Sequence, residues 1–234
     1  MAEINLLRHC PPAKRKMAKP RAASPANREA ALKFGAEYFD GRREQGYGGY
    51  YYDGRWVPIA RDIVAHFGLK PGDRVLDVGC AKGFLVKDLM AVCPGLEVYG
   101  LDVSEYALHH SEPEAAGRLV CGTADRLPFQ AGAFQVVLCI NVIHNLERER
   151  CLVALREMER LAPGRGYVQV DAYRTEAERE IFLGWVLTAV TFLRPEEWRA
   201  LFAEAGYTGD YYWTVLEADP EWNDFACSDN QHLR

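Results

Sequence analysis

Long apolar runs are missing from this chain. No stretch of its 234 residues approaches the roughly 18–20 uninterrupted apolar side chains of a membrane-spanning helix. Met1 to Cys10 has no apolar centre of secretory length. These two absences give the expectation of a cytoplasmic protein with no membrane partner. Paired cysteines are missing as well. Cys10, Cys80, Cys93, Cys121, Cys139, Cys151 and Cys227 are odd in number and form no C-x-x-C pair. That excludes a disulfide framework or a zinc ribbon and suits reduced thiols. Positive charge is scarce beyond the first thirty residues. Residues 1–30 hold seven Lys/Arg against two Asp/Glu, a net +5, while the whole chain carries −5, so residues 31–234 carry −10. An acidic body is a poor surface for nucleic acid.

What is present divides the chain into four parts. Residues 1–28, with the Pro/Ala-rich basic stretch Lys14 to Arg21, read as a disordered tail. Residues 29–56 read as the end of a short helix (28–39) and an aromatic, glycine-rich segment, Gly46-Tyr47-Gly48-Gly49-Tyr50-Tyr51-Tyr52. Too many glycines stand there for a stable helix or strand; its tyrosines read as a lid closing over a site, with a flap that packs its rings on the core as the other reading. Residues 57–217 alternate in type. Strands are predicted at 74–78, 97–101, 118–121, 134–140, 166–171 and 211–217. Helices are predicted at 58–67, 83–92, 104–110, 147–161, 175–191 and 195–205. This alternation predicts a three-layer α/β/α sandwich around a mostly parallel twisted sheet, with 175–191 as a helical insertion. Residues 218–234 read as an irregular tail.

The most informative stretch is Val75-Leu76-Asp77-Val78-Gly79-Cys80-Ala81-Lys82-Gly83, followed by the helical pattern from Phe84. Strand, tight turn and helix bring backbone N–H groups up to a nucleotide-like cofactor. A dinucleotide turn needs Gly-x-Gly-x-x-Gly. Aligned on Gly79, this chain places Ala81 at the second glycine and Phe84 at the third, where a bulky ring blocks close helix packing. The nicotinamide dinucleotide fingerprint is therefore absent.

The spacing present resembles the first motif of the class I S-adenosylmethionine-dependent methyltransferases, approximately (V/L)-(L/V)-D-(V/I)-G-(C/T)-G-x-G, with Ala81 replacing the middle glycine. The resemblance covers residues 57–217 and implies a seven-stranded type of sheet. It implies S-adenosyl-L-methionine as cofactor and S-adenosyl-L-homocysteine as product, held by Asp77, Gly79, Cys80, Ala81 and Gly83. Asp102, at the end of the second strand and next to Val103, would take the ribose hydroxyls, since a carboxylate suits paired O–H donors. Ala124 and Asp125 would border the adenine. Taken alone, Asp102 reads as a strand-end surface acid and Asp125 as a turn-former.

In open α/β sheets the reaction site lies at the carboxyl ends of the strands. Asn141-Val142-Ile143-His144-Asn145 follows the fourth strand and Asp171-Ala172-Tyr173-Arg174 follows the fifth. His144 is the candidate general base, because an unperturbed imidazole titrates near neutrality; packing or capping of the next helix is the other reading. Asp171 would orient His144 or accept from the acceptor. Asn141 would contact cofactor or acceptor. Tyr50, Tyr51, Asn145, Tyr173, Arg174 and Trp185 are the candidate acceptor-binding residues. The metal-dependent members of the family carry acids after strand four and an Asp-Asn pair after strand five, so Asn141 and Asp171-Ala172 give the expectation of no catalytic metal. The expected activity is methyl transfer to an O, N or C atom of a small molecule, such as a sugar derivative or natural-product intermediate, without nucleic acid. An RNA or protein methyltransferase docking through the basic tail, or a cofactor-binding module without catalysis, are the alternatives. Nothing in the sequence signals an oligomeric state.

Overall fold

The computed structural model describes residues 1–10, 14–15, 22 and 24–218. The expected irregular tail, beyond residue 218, and the basic residues 16–21 lie outside the described residues.

Six strands form one sheet: β1 (Arg74–Val78), β2 (Glu97–Asp102), β3 (Leu119–Cys121), β4 (Val136–Ile140), β5 (Gly166–Asp171) and β6 (Asp210–Thr214). Their order is β3-β2-β1-β4-β5-β6, and every neighbouring pair is parallel. The strand order reverses between β1 and β4, which is where open α/β sheets open a crevice at their carboxyl ends. The period-2 alternation of a strand sends successive side chains to opposite faces. In β4, Val136 and Leu138 enter one core, and Val137 and Cys139 the other. Apolar residues on both faces explain why this strand reads as a continuous hydrophobic run.

Helices α3 (Trp56–Phe67) and α4 (Phe84–Val92) cover one face through Ile59, Ile63, Leu85 and Leu89. Helices α6 (Arg148–Leu161) and α8 (Pro195–Ala205) cover the other through Leu155, Met158, Trp198 and Phe202. A short α5 (Glu105–His109) follows β2, with Ser104 as its N-cap. No helix among the described residues is long and apolar enough to cross a membrane.

Four expectations are corrected. First, the tail over 1–28 is not disordered throughout. Leu6 is buried in the core beneath α3 and α4. Residues 2–4 run beside β6, with Ile4 N–H donating to Tyr211 O at 2.9 Å and Tyr211 N–H to Ala2 O at 3.0 Å. Second, the helix expected over 28–39 is two, α1 (Pro25–Leu32) and α2 (Ala36–Phe39), because Phe34 takes a left-handed φ of 47° ahead of Gly35. Third, the insertion is helical only as α7 (Glu176–Trp185), begun by a Thr175/Glu178 capping box. The chain then leaves the helix at Val186, entering a run rich in β-branched residues that disfavour helix. Fourth, the strand expected over 211–217 ends at Thr214, so the main sheet has six strands among the described residues rather than seven, while Glu217–Ala218 pair with Lys14–Arg15 in a separate two-stranded parallel sheet.

Candidate functional site

The turn after β1 is built from left-handed residues: Gly79 (φ 81°), Ala81 (φ 48°) and Gly83 (φ 76°). Gly79 is required by proximity, since a Cβ there would lie 2.1 Å from Val142 Cγ2. Ala81 keeps the backbone shape a glycine would give, at a cost of roughly 1–2 kcal/mol for an L residue. Its N–H donates to Asp102 Oδ2 at 2.8 Å, while Ser104 N–H donates to Oδ1 at 2.8 Å. Asp102 thus ties the turn after β1 to the turn after β2. Cys80 turns its thiol inward against Gly100, so what it offers at the turn is backbone.

Two acids sit at this turn with little water. Asp77 is 5% exposed, and no group among the described residues hydrogen-bonds its carboxyl. Burial, and secondarily the nearby Asp102 charge, push it up to about 7. Burial also pushes the Asp102 carboxyl up, against the pull of the backbone N–H groups it accepts. Val103 beside it is half-exposed, an apolar plate at the rim. A buried acid without a donor, a second acid at the strand end and an apolar rim suit a cofactor that brings cationic and hydroxyl groups together. The residues present therefore fit S-adenosylmethionine. Asp125 is placed differently from expectation. Its carboxylate is gripped by Arg150 of α6, at 2.6 and 3.1 Å, which holds it below the usual carboxylate range. Ala124 packs into the core under α6.

The aromatic segment folds over the same turn. The Tyr50 ring stacks on Phe84 (centroids 4.8 Å apart, planes at 17°) and against Tyr47 (4.4 Å). Burial, followed by the Asp77 charge, pushes the Tyr50 phenol up, so it stays neutral. Tyr52 donates its hydroxyl to Asp88 of α4 at 2.7 Å. One carboxylate fastens the segment. Asp40 Oδ1 accepts from Tyr50 N–H (3.1 Å) and Lys82 Nζ (2.9 Å), and Oδ2 accepts from Lys82 Nζ (2.8 Å) and the Tyr106 hydroxyl (2.8 Å). Burial opposes its charge, but these donors hold the Asp40 carboxyl below its ordinary range. Asp40 and Lys82 were not singled out from sequence. The available signal was a lysine placed inside the glycine turn, where only a partner allows burial to 6% exposure.

A cavity of about 160 Å³ opens beyond the ends of β4 and β5. Asn141, His144, Asn145, Asp171 and Trp185 line it, joined by Tyr38, Tyr47, Thr188 and Thr214. His144 is buried. Its Nδ1 accepts from Asp171 N–H at 3.1 Å, so the neutral ring carries its proton on Nε2, which lies 3.4 Å from Asp171 Oδ2. Burial lowers the affinity of the ring for a second proton, against the pull of Asp171. Both ring nitrogens of His144, the candidate base, therefore face Asp171, Nδ1 toward its backbone N–H and Nε2 toward its carboxylate. The loop after α7 fixes it in turn: Val190 N–H and Thr191 N–H both donate to His144 O at 2.9 Å. Asn141 takes a left-handed φ of 58° and accepts from the Thr214 hydroxyl at 2.8 Å. Asn145 Oδ1 is buried with no hydrogen-bond partner among the described residues.

Four expected acceptor-binding residues lie elsewhere. Tyr50 belongs to the turn after β1. Tyr51 is 73% exposed on the outer side of the lid, with Lys82 Nζ 5.7 Å from its ring. Tyr173 packs under α7 with Ile181 and Phe182, beneath the Arg194 guanidinium. Arg174 is exposed, and its backbone N–H donates to Glu178. Tyr38, Thr188 and Thr214 were missed. No local pattern marks them, because long-range packing brings them in. A more open depression of about 600 Å³ lies by the β3 edge, between Glu105, His109 and Cys121, and shares none of these residues.

The methyltransferase-domain family model matches residues 76–170. Over 116 residues the chain is 28% identical to the malonyl-[acyl-carrier protein] O-methyltransferase of Legionella pneumophila, covering 48% of this chain and 40% of that protein. Over 154 residues it is 30% identical to the demethylmenaquinone methyltransferase of Symbiobacterium thermophilum, covering 62% of this chain and 60% of that one. The matched parts are thus about half the length of these relatives. Among solved structures, the methyltransferase bound to the Trm112 activator from Haloferax volcanii superposes with a TM-score of 0.50 at 20% identity, covering 63% of this chain and 66% of that one. The YcgJ protein from Bacillus subtilis also gives 0.50, at 21% identity, with 62% and 66% covered. Both show the fold.

Proposed function

Because residues 76–170 form a methyltransferase domain of the class I, S-adenosylmethionine-dependent family, we propose that this chain transfers a methyl group to a small-molecule acceptor held in the cavity beyond β4 and β5. The observation that carries this reading is the meeting of Asn141, His144, Asn145 and Asp171 in one cavity, with Val142 of the same segment packed against Gly79 of the turn after β1.

The cofactor supplies a methyl group on a sulfonium, an activated leaving group. The chain has to align, exclude water and take a proton. Asp77 and the turn Gly79–Gly83 would hold the cationic part, and Asp102 would hold the ribose hydroxyls. Tyr47 and Tyr50 close over the turn and keep water out. Asp171 receives the acceptor's proton on a carboxylate oxygen. His144 donates from Nε2 toward that carboxylate and keeps it aimed at the cavity, while its Nδ1 is pinned by the Asp171 backbone.

The test is turnover with methyl-labelled S-adenosylmethionine and a small-molecule extract. Label should appear in a product of low mass. Asp171→Asn should lower kcat by about 10²–10⁴-fold, the usual worth of a positioned base, with cofactor affinity unchanged. Wild-type turnover by that variant would remove Asp171 from the reaction.

A further inference from the structure

Asn141 is tied to β5 by its backbone and to β6 by its side chain. Its N–H donates to Gln169 O at 2.8 Å, and its Oδ1 accepts from the Thr214 hydroxyl at 2.8 Å. That hydroxyl is itself held from within the sheet. Gln169 Nε2 donates to Thr214 Oγ1 at 2.9 Å, and Gln169 Oε1 accepts from the Tyr167 hydroxyl at 2.9 Å. Tyr167 Oη in turn accepts from Leu6 N–H at 3.4 Å and has Ile4 O, at 3.1 Å, as a second and longer partner. The relay runs from the amino-terminal segment, through the buried side chains of Tyr167 and Gln169, to the cavity that Thr214 and Asn141 line.

Every link in such a relay has a direction. An amide donates from one end and accepts at the other, and a hydroxyl has one proton to give. Burial pushes the Tyr167 phenol up, so it keeps the proton it donates. With Gln169 donating to Thr214, the threonine proton goes to Asn141, which meets it with Oδ1. The half of the Asn141 amide left for the cavity is Nδ2, with its two N–H donors. Reversing the Gln169 amide would reverse Thr214 and Asn141 with it, and a carbonyl oxygen would stand there instead.

We propose that Gln169 and Thr214 are positioning residues that fix the polarity of the Asn141 amide, so that the ligand group meeting Asn141 is an oxygen that accepts a hydrogen bond. The inference rests on the methyltransferase reading above and describes a ligand of that same site. The oxygen belongs either to the methyl acceptor or to the carboxylate of the cofactor, and the two sources differ in which constant moves.

The experiment uses the full chain, with two readouts of binding. One is calorimetric affinity for S-adenosylmethionine. The other is the rate of label transfer from methyl-labelled S-adenosylmethionine into a dilution series of low-molecular-weight extract, read as the half-saturating dilution. Asn141→Asp keeps the shape, the oxygen facing Thr214 and a residue type that tolerates a left-handed φ, but removes the N–H donors. It should weaken one of the two constants about tenfold, the order lost when a donor is replaced by an acceptor. Thr214→Val should weaken the same constant at least about threefold with a smaller change in maximal rate, and Thr214→Ser should restore it. A weaker S-adenosylmethionine affinity assigns the oxygen to the cofactor, and a shifted half-saturation assigns it to the acceptor. Polarity is read separately, from side-chain NH2 signals of the 15N-labelled chain. Thr214→Val should shift the Gln169 pair, which loses its acceptor, more than the Asn141 pair. An unchanged backbone amide spectrum certifies the fold of each variant. Both constants unchanged in Asn141→Asp or in Thr214→Val, or the larger shift on Asn141, overturns the proposal. A wild-type chain that binds S-adenosylmethionine but labels nothing overturns methyl transfer, and the calorimetric and NH2 readouts then decide the relay by themselves. Failure of the wild-type chain to bind S-adenosylmethionine overturns the methyltransferase reading itself.

Discussion

Cofactor affinity should rise with pH through neutrality because of one buried acid. Asp77 has its carboxyl pushed from 3.8 to about 7 by burial and by Asp102. Below that value the free protein holds Asp77 neutral, and a cationic sulfonium or ammonium has no counter-charge there. If binding requires ionised Asp77, each pH unit below 7 weakens affinity about tenfold, or about 1.4 kcal/mol. Between pH 8 and pH 5 the dissociation constant of S-adenosylmethionine should therefore rise by about 100-fold, and it should be flat above pH 8. The same shift has a stability consequence whose sign is fixed. A carboxyl raised on folding stabilises the fold fully below its unfolded value of 3.8 and loses that contribution as pH climbs to about 7. The loss is at most about 4 kcal/mol at 1.36 kcal/mol per unit. Added cofactor should give a larger thermal shift at pH 8 than at pH 5. Isothermal titration calorimetry across pH 5–9 checks the affinity, with Asp77→Asn as control. A flat profile in the wild type, or an equal slope in Asp77→Asn, would refute the reasoning.

Three further outcomes follow from the same geometry. His144→Ala should reduce kcat while leaving S-adenosylmethionine affinity within about twofold by calorimetry, because its bonds run to Asp171 and not to the turn; an imidazole pKa visible in the wild-type pH–rate profile near 6.5 would contradict its neutral, positioning role. Ala81→Gly should relieve the left-handed backbone, worth roughly 1–2 kcal/mol, against roughly 0.5–1 kcal/mol of glycine entropy, for a net gain of up to about 1.5 kcal/mol in urea unfolding. A clear loss of stability would mean the Ala81 methyl packs better than its φ of 48° suggests. Asp40→Asn should loosen residues 41–55, seen as faster limited proteolysis there and a faster cofactor dissociation rate, with the sheet's hydrogen-exchange protection unchanged; equal proteolysis rates would show that stacking alone holds the lid.

The strands, the turn and the caps were legible because their signals are local. Val136 to Ile140 is apolar throughout because both faces are covered, and Gly79 marks a close approach that no side chain tolerates. Pro195 and Gly206 bracket α8 by the usual start and stop chemistry. What escaped were pairings between residues far apart in the chain. Nothing local announces that Asp125 belongs to Arg150, that Asp40 belongs to Lys82, or that residues 186–191 rest on His144. His144 shows the limit best. Its position after the fourth strand is readable, but its role turns on which nitrogen the Asp171 backbone occupies, and that is set only once β4 and β5 pair.

Residues 2–4 on the edge of β6 bear on when the chain can finish folding. Ala2 N–H donates to Asp210 at 2.7 Å across a separation of 208 positions, and the Ile4 and Tyr211 amides complete the pairing. A contact so distant in sequence carries a large loop-closure entropy and forms late. On the ribosome, where chains emerge from the amino end, residues 2–4 must wait for residues 210–214 before they find their partner. Until then β6 has an unprotected edge, open to pairing with a neighbouring chain. The amino-terminal residues thus act as a closing seam, and a bulky group fused directly to residue 2 would be felt first in refolding yield rather than in catalysis.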